Sequence, residues 1–347
     1  MASPLPTEDL NLILVNTRDL WGELRGQRLF LTGGTGFFGC WLVESFCNIN
    51  RQLRLGAEMT ILTRDPKAFA QKCPHLASDP AITLLAGDVK NFTCPDEEFK
   101  YVIHAATEAS AKQAAENPIE MLATILRGTE RTLDFAATHG TRKFLLTSSG
   151  AVYGIQPPSI THLSEDYAGA PNPLKCESVY SDGKRAAELM CALYGAKHGI
   201  ECKIARCFAF VGPHLPLDAH FAIGNFIRDA MRGESIRVNG DGTPKRSYMY
   251  AADLAIWLWT ILFRAPAMEA FNVGSDRAIS ILELAHTVNA AIGSKVDVRV
   301  AQEVVPEVQL QQYVPSIKKA EHQLGLKCNV SLEDAICRTA AWHGYRS

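Results

Sequence analysis

The stretch Arg28-Leu-Phe-Leu-Thr-Gly-Gly-Thr-Gly-Phe-Phe-Gly39 constrains this chain more than any other. A short apolar run meets glycines at 33, 34, 36 and 39, and the apolar segment Cys40-Trp-Leu-Val-Glu-Ser-Phe46 comes directly after. That order predicts a strand, a tight turn and a helix. Glycines let the backbone turn sharply and approach a ligand, and the free N–H groups at the start of the helix face its phosphates. Gly33, Thr35, Gly36, Phe37, Phe38 and Gly39 are therefore candidate contacts to a dinucleotide pyrophosphate.

Further apolar runs continue the rhythm. Glu58–Thr63, Ala81–Asp88, Tyr101–Ala106, Lys143–Ser149 and Cys202–Phe208 read as five more strands. Helical patterns such as Pro118–His139 and Tyr180–His198 separate most of them. Strands that alternate with helices imply an α/β, Rossmann-type, doubly wound parallel sheet. Continuous apolar runs fit strands covered on both faces. Past residue 206 the rhythm changes. A proline-bearing loop at 213–217, a helix over Phe221–Gly233, short strands at Ile236–Asn239 and Arg246–Tyr250, and helices at Ala252–Phe263 and Ile281–Ile292 describe a smaller lobe. The expected division is an N-terminal extension over 1–27, helical around Leu10–Leu24. A dinucleotide-binding domain comes next, over 28–206. A mainly substrate-binding α/β lobe over 207–347 returns some segments to the sheet.

Composition excludes several classes. The 347 residues carry a formal charge of −2, so no overall field draws the chain to nucleic acid or anionic lipid. No run of apolar residues is long enough to span a bilayer, and the first residues lack the basic region of a secretory leader. The ten cysteines are scattered and mostly lie in apolar segments, with no Cys-x-x-Cys and no ligand-like Cys/His spacing. A reducing, cytoplasmic setting and no metal are the expectations.

The fifth strand ends at Thr147-Ser-Ser149, and ligands of open α/β sheets lie at the carboxyl ends of strands. Ser149 is therefore expected beside the cofactor. Tyr180 and Lys184 sit four apart on one helical face. A nearby ammonium favours the phenolate, which suits the tyrosine to proton exchange. Asp253, just before Leu254, reads as a first-turn helix residue rather than a catalyst.

Together, Thr32-Gly-Gly-Thr-Gly-Phe-Phe-Gly39, Gly87-Asp88, His104-Ala-Ala106, Ser149 and Tyr180-x-x-x-Lys184 resemble the extended short-chain dehydrogenase/reductases. More narrowly, they resemble the nucleotide-sugar epimerase, dehydratase and decarboxylase branch. The spacing Gly33-x-x-Gly36-x-x-Gly39 is itself of the short-chain kind. Segments 164–188 and 240–248 look most like UDP-glucuronate decarboxylases. The resemblance, which covers roughly 28–290, implies a set of roles. Tyr180 is the general acid/base, Lys184 holds the nicotinamide ribose and tunes the tyrosine, and Ser149 holds the reacting sugar hydroxyl. Asp88 contacts the adenine side, with Val89, Ala105 and Ala106 beside the cofactor. Arg246 and Asn225 contact the diphosphate of a nucleotide sugar, and two chains pair as a homodimer.

Four places depart from the family pattern. Gly150 and Ala151 stand where dehydratases and decarboxylases carry an acid; Glu108, His162, Glu165 and Asp166 are the possible stand-ins. Thr63 and Arg64 occupy the place of an aspartate that binds the adenosine ribose, which leaves NAD and NADP both open. Ile125 and Ala209 replace asparagines of the family. The expected activity is hydride transfer at sugar C4 by an epimerase or 4-ketoreductase. A decarboxylase-like or dehydratase activity is the alternative, and a non-catalytic NAD(P)-binding protein is a third reading.

Overall fold

The computed structural model describes residues 2–107, 111–219, 221–303 and 311–345, with the backbone alone at 111–113. Its centre is a sheet of seven parallel strands. Six run in chain order as β1 Arg28–Thr32, β2 Glu58–Thr63, β3 Ile82–Ala86, β4 Tyr101–His104, β5 Lys143–Ser149 and β6 Glu201–Cys207. The seventh, Ala270–Val273, joins at the edge beside β6. Across the sheet, β3, β2 and β1 are succeeded by β4, β5, β6 and the edge strand, so the order reverses next to β1. That reversal leaves a crevice at the carboxyl ends of β1 and β4, where this architecture binds ligands.

The strands are parallel because helices cross over between them and bury both sheet faces. Every residue of β4 and β5 is buried, which explains why they read as unbroken apolar runs. The helix Pro118–Thr138 packs beside Val179–His198, and Gly183 permits the close approach. A methyl there would stand 2.9 Å from Ile125 Cδ1. Ile125 thus serves this helix contact. On the other face, the helix Ala251–Arg264 is apolar all round and buried along nearly its whole length. It lies between the sheet, the first helix Phe37–Leu53 and the N-terminal helix Thr7–Thr17.

The edge strand Ala270–Val273 has no counterpart among the expected strands, since four residues between a helix and Gly274 carry too little pattern to read. The expected N-terminal helix is shorter than Leu10–Leu24 suggests: it ends at Thr17, and a separate turn spans Trp21–Leu24. Outside the main sheet, Ile279–Ser280, Lys245–Arg246 and Gln312–Tyr313 form a small three-stranded sheet. Its register sets Tyr313 opposite Arg246. Asp253 is fully buried and accepts from Asn329 N, Asn329 Nδ2 and Val330 N, so it anchors the C-terminal segment to this helix rather than serving chemistry.

Candidate active site

The glycine turn is built for close approach. Gly33 has φ +75°, and a Cβ there would sit 2.5 Å from the Ala105 carbonyl. A Cβ on Gly39 would sit 2.3 Å from Gly33 O, so the helix start presses directly on the turn. Thr32 fixes the facing segment, its Oγ1 accepting from Ala105 N and Ala106 N at 3.2 Å each. Gly36 differs from its neighbours: nothing comes closer to its missing Cβ than Gly33 O at 3.5 Å, and it is exposed.

In front of this turn opens a cavity of about 590 Å³. Its wall brings together the expected cofactor residues Gly33, Thr35, Gly36, Thr63, Arg64, Asp88, Val89, Ala105 and Ala106. Gly39, Phe37 and Phe38 are not among its lining residues: Gly39 packs on the turn, and the Phe38 ring stands 5.1 Å from that of Phe210. Sequence reading did not single out Asp65, Phe69 and Lys72, which line the far wall. Asp65 caps its own helix through Ala68 N at 2.9 Å, and Lys72 Nζ donates to Thr35 O at 3.2 Å. A carbonyl-framed glycine turn, an open Gly36 face and a cavity of this size fit a dinucleotide.

Ser149, Tyr180 and Lys184 converge next to the carboxyl ends of β4 and β5. Lys184 is buried and donates to Thr147 O at 2.7 Å and Thr107 Oγ1 at 3.1 Å. Its Nζ lies 6.0 Å from the Tyr180 ring centre. Burial lowers the Lys184 pKa to about 8, because an ammonium loses hydration there. Burial likewise pushes the Tyr180 phenol up to about 12, with Ser149 partly offsetting it by hydrogen bonding. His104, beneath them, is held neutral by burial and by the Lys184 charge, its pKa down at about 3. It bridges Thr32 Oγ1 at 2.8 Å and Thr129 Oγ1 at 3.2 Å.

Tyr313 is the residue that sequence reasoning missed. Its hydroxyl reaches Ser149, and its neighbours include Tyr180 and Arg246. A Cβ on Gly150 would stand 2.7 Å from this hydroxyl and 2.6 Å from Phe208 Cζ. The place of the family's acid is thus closed by two aromatic rings, whose centroids lie 4.6 Å apart. No sequence pattern announces Tyr313, because only strand pairing with Arg246 carries it there. Arg246 is half-buried, and its Nη1 donates to Lys245 O at 2.8 Å. Asn225 is engaged elsewhere, its Oδ1 accepting from Arg228 on its own helix at 3.2 Å.

Among the possible stand-in acids, Glu165 is committed to Asn272 N at 2.8 Å, and His162 Nε2 pairs with Asp276 O at 2.9 Å. Asp166 is exposed, and Glu108 lies outside the described residues. Ala209 contributes its carbonyl, which accepts from Met249 N at 3.0 Å.

The model of the NAD dependent epimerase/dehydratase family matches residues 29–274. The chain belongs to this family. UDP-glucuronic acid decarboxylase 6 of Arabidopsis thaliana is 31% identical over 312 residues, 89% of this chain and 87% of the relative. UDP-glucuronic acid decarboxylase 1 of Xenopus tropicalis is 30% identical over 313 residues, 90% of this chain and 71% of the relative. Among solved structures, a UDP-N-acetylglucosamine 4-epimerase from Methanobrevibacter ruminantium superposes with TM-score 0.77 at 20% identity, covering 91% of this chain and 98% of that one. A Thermus thermophilus UDP-glucose 4-epimerase in complex with NAD gives 0.74 at 23%, covering 92% and 99%. The fold of this epimerase/dehydratase is therefore that of the extended short-chain enzymes, and its cofactor is of the NAD class. Among the described residues, no helix is long and apolar enough to cross a membrane.

Proposed function

We propose that this epimerase/dehydratase acts at C4 of a nucleotide-activated sugar, as a 4-epimerase or 4-ketoreductase. The observation that carries the reading is the Ser149–Tyr180–Lys184 cluster combined with the closed space at Gly150. The machinery for moving one proton at a sugar hydroxyl is present, while Gly150 and Ala151 offer no acid for eliminating water. In this reading residues 28–206 hold the dinucleotide and 207–347 hold chiefly the nucleotide sugar.

A bound nicotinamide supplies a hydride acceptor or donor facing C4. Tyr180 exchanges the proton of the C4 oxygen. Ser149 holds that oxygen beside the phenol by a hydrogen bond, and Tyr313 adds a second phenol at the same serine. The Lys184 ammonium, fixed by Thr147 O and Thr107, stabilises negative charge on Tyr180. Arg246 supplies the cation for the substrate diphosphate, where a guanidinium fork suits phosphate oxygens. Asn225 reaches that diphosphate only by leaving Arg228. Thr63 and Arg64 face the dinucleotide, and NAD is the form assigned, in keeping with the NAD dependent family to which the chain belongs.

The chain works as a cytoplasmic homodimer in this reading. Ile119 and Leu122 on Pro118–Thr138, and Leu189 and Leu193 on Val179–His198, are exposed large apolar side chains on adjacent helices. They offer exposed apolar surface on this helix pair for a second copy.

Incubation with UDP-, dTDP-, CDP- and GDP-sugars and with 4-keto sugars, read by NMR, tests the assignment. Inversion or reduction at C4 of one class supports it. No turnover of any class by protein that binds NAD overturns it. The similarity to UDP-glucuronic acid decarboxylases over nine-tenths of the chain favours a second reading, release of carbon dioxide from UDP-glucuronate. Arg246 would then face a sugar carboxylate, and labelled carbon dioxide decides between the two.

A further inference from the structure

Behind the glycine turn, away from Tyr180, three side chains from distant segments meet. Cys40 Sγ, Cys73 Sγ and a ring nitrogen of His214 all lie within 4.8 Å of one another. Cys40 comes after Gly39 in the first turn of Phe37–Leu53, and Cys73 joins the helix Pro66–Lys72 to Pro74–Ala77. His214 lies just beyond the strand Phe210–Val211. Both cysteines are fully buried, and the His214 side chain is 1% exposed.

The imidazole is already oriented. Its Nε2 lies 3.2 Å from Glu44 Oε1, while Glu44 Oε2 accepts from Leu5 N at 2.7 Å. A carboxylate on Nε2 selects the tautomer with its proton there, which leaves the Nδ1 lone pair bare. Nδ1 is buried with no hydrogen-bond partner among the described residues. Leaving a buried acceptor unpaired is costly. His214 also holds φ +69°, a left-handed backbone that a residue with a side chain adopts only when its surroundings impose it. A strained histidine with a carboxylate on one ring nitrogen, the other ring nitrogen unpaired, and a ring nitrogen within 4.8 Å of two buried thiols has the arrangement of a metal ligand with its outer-shell partner.

We propose that Cys40, Cys73 and His214 bind a zinc ion, with a water in the fourth position. Two thiolates and an imidazole are donors that zinc favours over magnesium or calcium. Tetrahedral bonding places two zinc-bound sulfurs about 3.8 Å apart, a spacing that a small inward movement of this cluster reaches. On binding, each thiol gives its proton to solvent, each sulfur and Nδ1 donate an electron pair, and no oxidant or reductant takes part. The ion ties together three segments that matter to the main site. Ala68, Phe69 and Lys72, just before Cys73, form the far wall of the dinucleotide cavity. Cys40 adjoins the glycine turn, and His214 leads into the sugar-binding lobe. Zinc would clamp that wall to both.

The test starts from full-length protein freed of metal under a phosphine reductant. Elemental analysis after zinc loading and dialysis is expected to give one zinc per chain. Cobalt(II) titration is expected to give thiolate charge-transfer absorption in the near ultraviolet and tetrahedral bands in the visible. Cys73→Ser is expected to lose both, and His214→Gln to weaken zinc binding at least tenfold. Cys94→Ser, outside the cluster, is expected to keep one zinc and the cobalt spectrum. The unmodified protein needs no variant to fold for the cobalt measurement. Its failure to hold zinc together with a featureless cobalt spectrum overturns the proposal. So does a Cys40–Cys73 disulfide, found by non-reducing peptide mapping, in protein that takes up no zinc after reduction.

Discussion

At the scale of single residues, the site separates side chains that serve chemistry from those that serve shape. Gly33 and Gly36 make the distinction testable. Alanine at 33 must hold a left-handed backbone and overlap the Ala105 carbonyl at 2.5 Å. Gly33→Ala is expected to cost about 3 kcal/mol of stability and to abolish dinucleotide binding. At 36 the same methyl meets nothing closer than 3.5 Å. Gly36→Ala is expected to melt within about 0.5 kcal/mol of the unmodified protein, yet to bind NAD at least tenfold more weakly, because the added methyl occupies the ligand's side of the turn. Calorimetric titration beside thermal melts checks both. Equal losses of stability in the two variants would contradict the assignment of Gly36 to the ligand.

The proposed acid/base pair, Tyr180 and Lys184, is expected to make both activity and stability depend on pH. Tyr180, pushed up to about 12, is a neutral phenol at pH 7, and Lys184, lowered to about 8, is mostly an ammonium. This is the state that donates a proton, so reduction of a 4-keto sugar is expected to run at a constant rate below about pH 8. It is expected to decline above that as Lys184 loses its charge. The same shift sets the sign of the stability effect. A lysine whose folded pKa is depressed contributes stability present above its unfolded value of 10.5 and lost as pH falls through about 8. At pH 7 the buried ammonium therefore weighs against folding by roughly 3 kcal/mol. Lys184→Met is expected to lose activity and to melt higher at pH 7, with the advantage narrowing between pH 8 and 10.5. A variant that melts lower at pH 7 would show that the bonds to Thr147 O and Thr107 outweigh desolvation. Ser149, Tyr180 and Lys184 were legible in the sequence because each sits at a fixed place on one strand end or one helix face. Tyr313 was not, because its approach depends on the pairing of two-residue strands that carry no periodic signal.

At the scale of elements, six of the seven strands of the sheet were legible, the central ones because burial on both faces removes the alternation of a half-exposed strand. The N-terminal segment was less so, because its role lies in its partners. Asp9, on the helix Thr7–Thr17, accepts from Tyr250 Oη at 2.6 Å and from Arg338 Nη1 at 2.6 Å. Three elements are thus joined at one carboxylate: the N-terminal helix Thr7–Thr17, the strand Met249–Tyr250 and the last helix Leu332–Trp342. Asp9 is fully buried, so its loss leaves the buried Tyr250 phenol without its acceptor and Arg338 with Glu8 alone. Asp9→Ala is expected to cost about 3 kcal/mol, read as a lower denaturation midpoint, with the C-terminal helix exchanging amide hydrogens faster than the central sheet. Uniform exchange throughout the chain would mean that the joint does not act locally.

At the scale of the whole molecule, the same helix that carries Tyr180 and Lys184 also carries Leu189 and Leu193, each 60% exposed. Residues four apart lie on one face, so the two leucines stand together, while Ile119 and Leu122 are exposed nearer the start of the neighbouring helix. Water against such a face favours its cover by a second copy, and a two-fold pairing would pack both helices of each chain into a four-helix contact. Tyr180 and Lys184, the proposed acid/base pair, would then rest on a helix stiffened from its far side by the partner. Leu189→Glu with Leu193→Glu places charge on that face without touching the cavity or the sheet. The double variant is expected to sediment as a monomer, to bind NAD as before, and to turn over several-fold more slowly, because Tyr180 and Lys184 lose their support. Sedimentation of the unmodified chain as a monomer at micromolar concentration would rule the dimer out and leave the four side chains as ordinary exposed apolar surface.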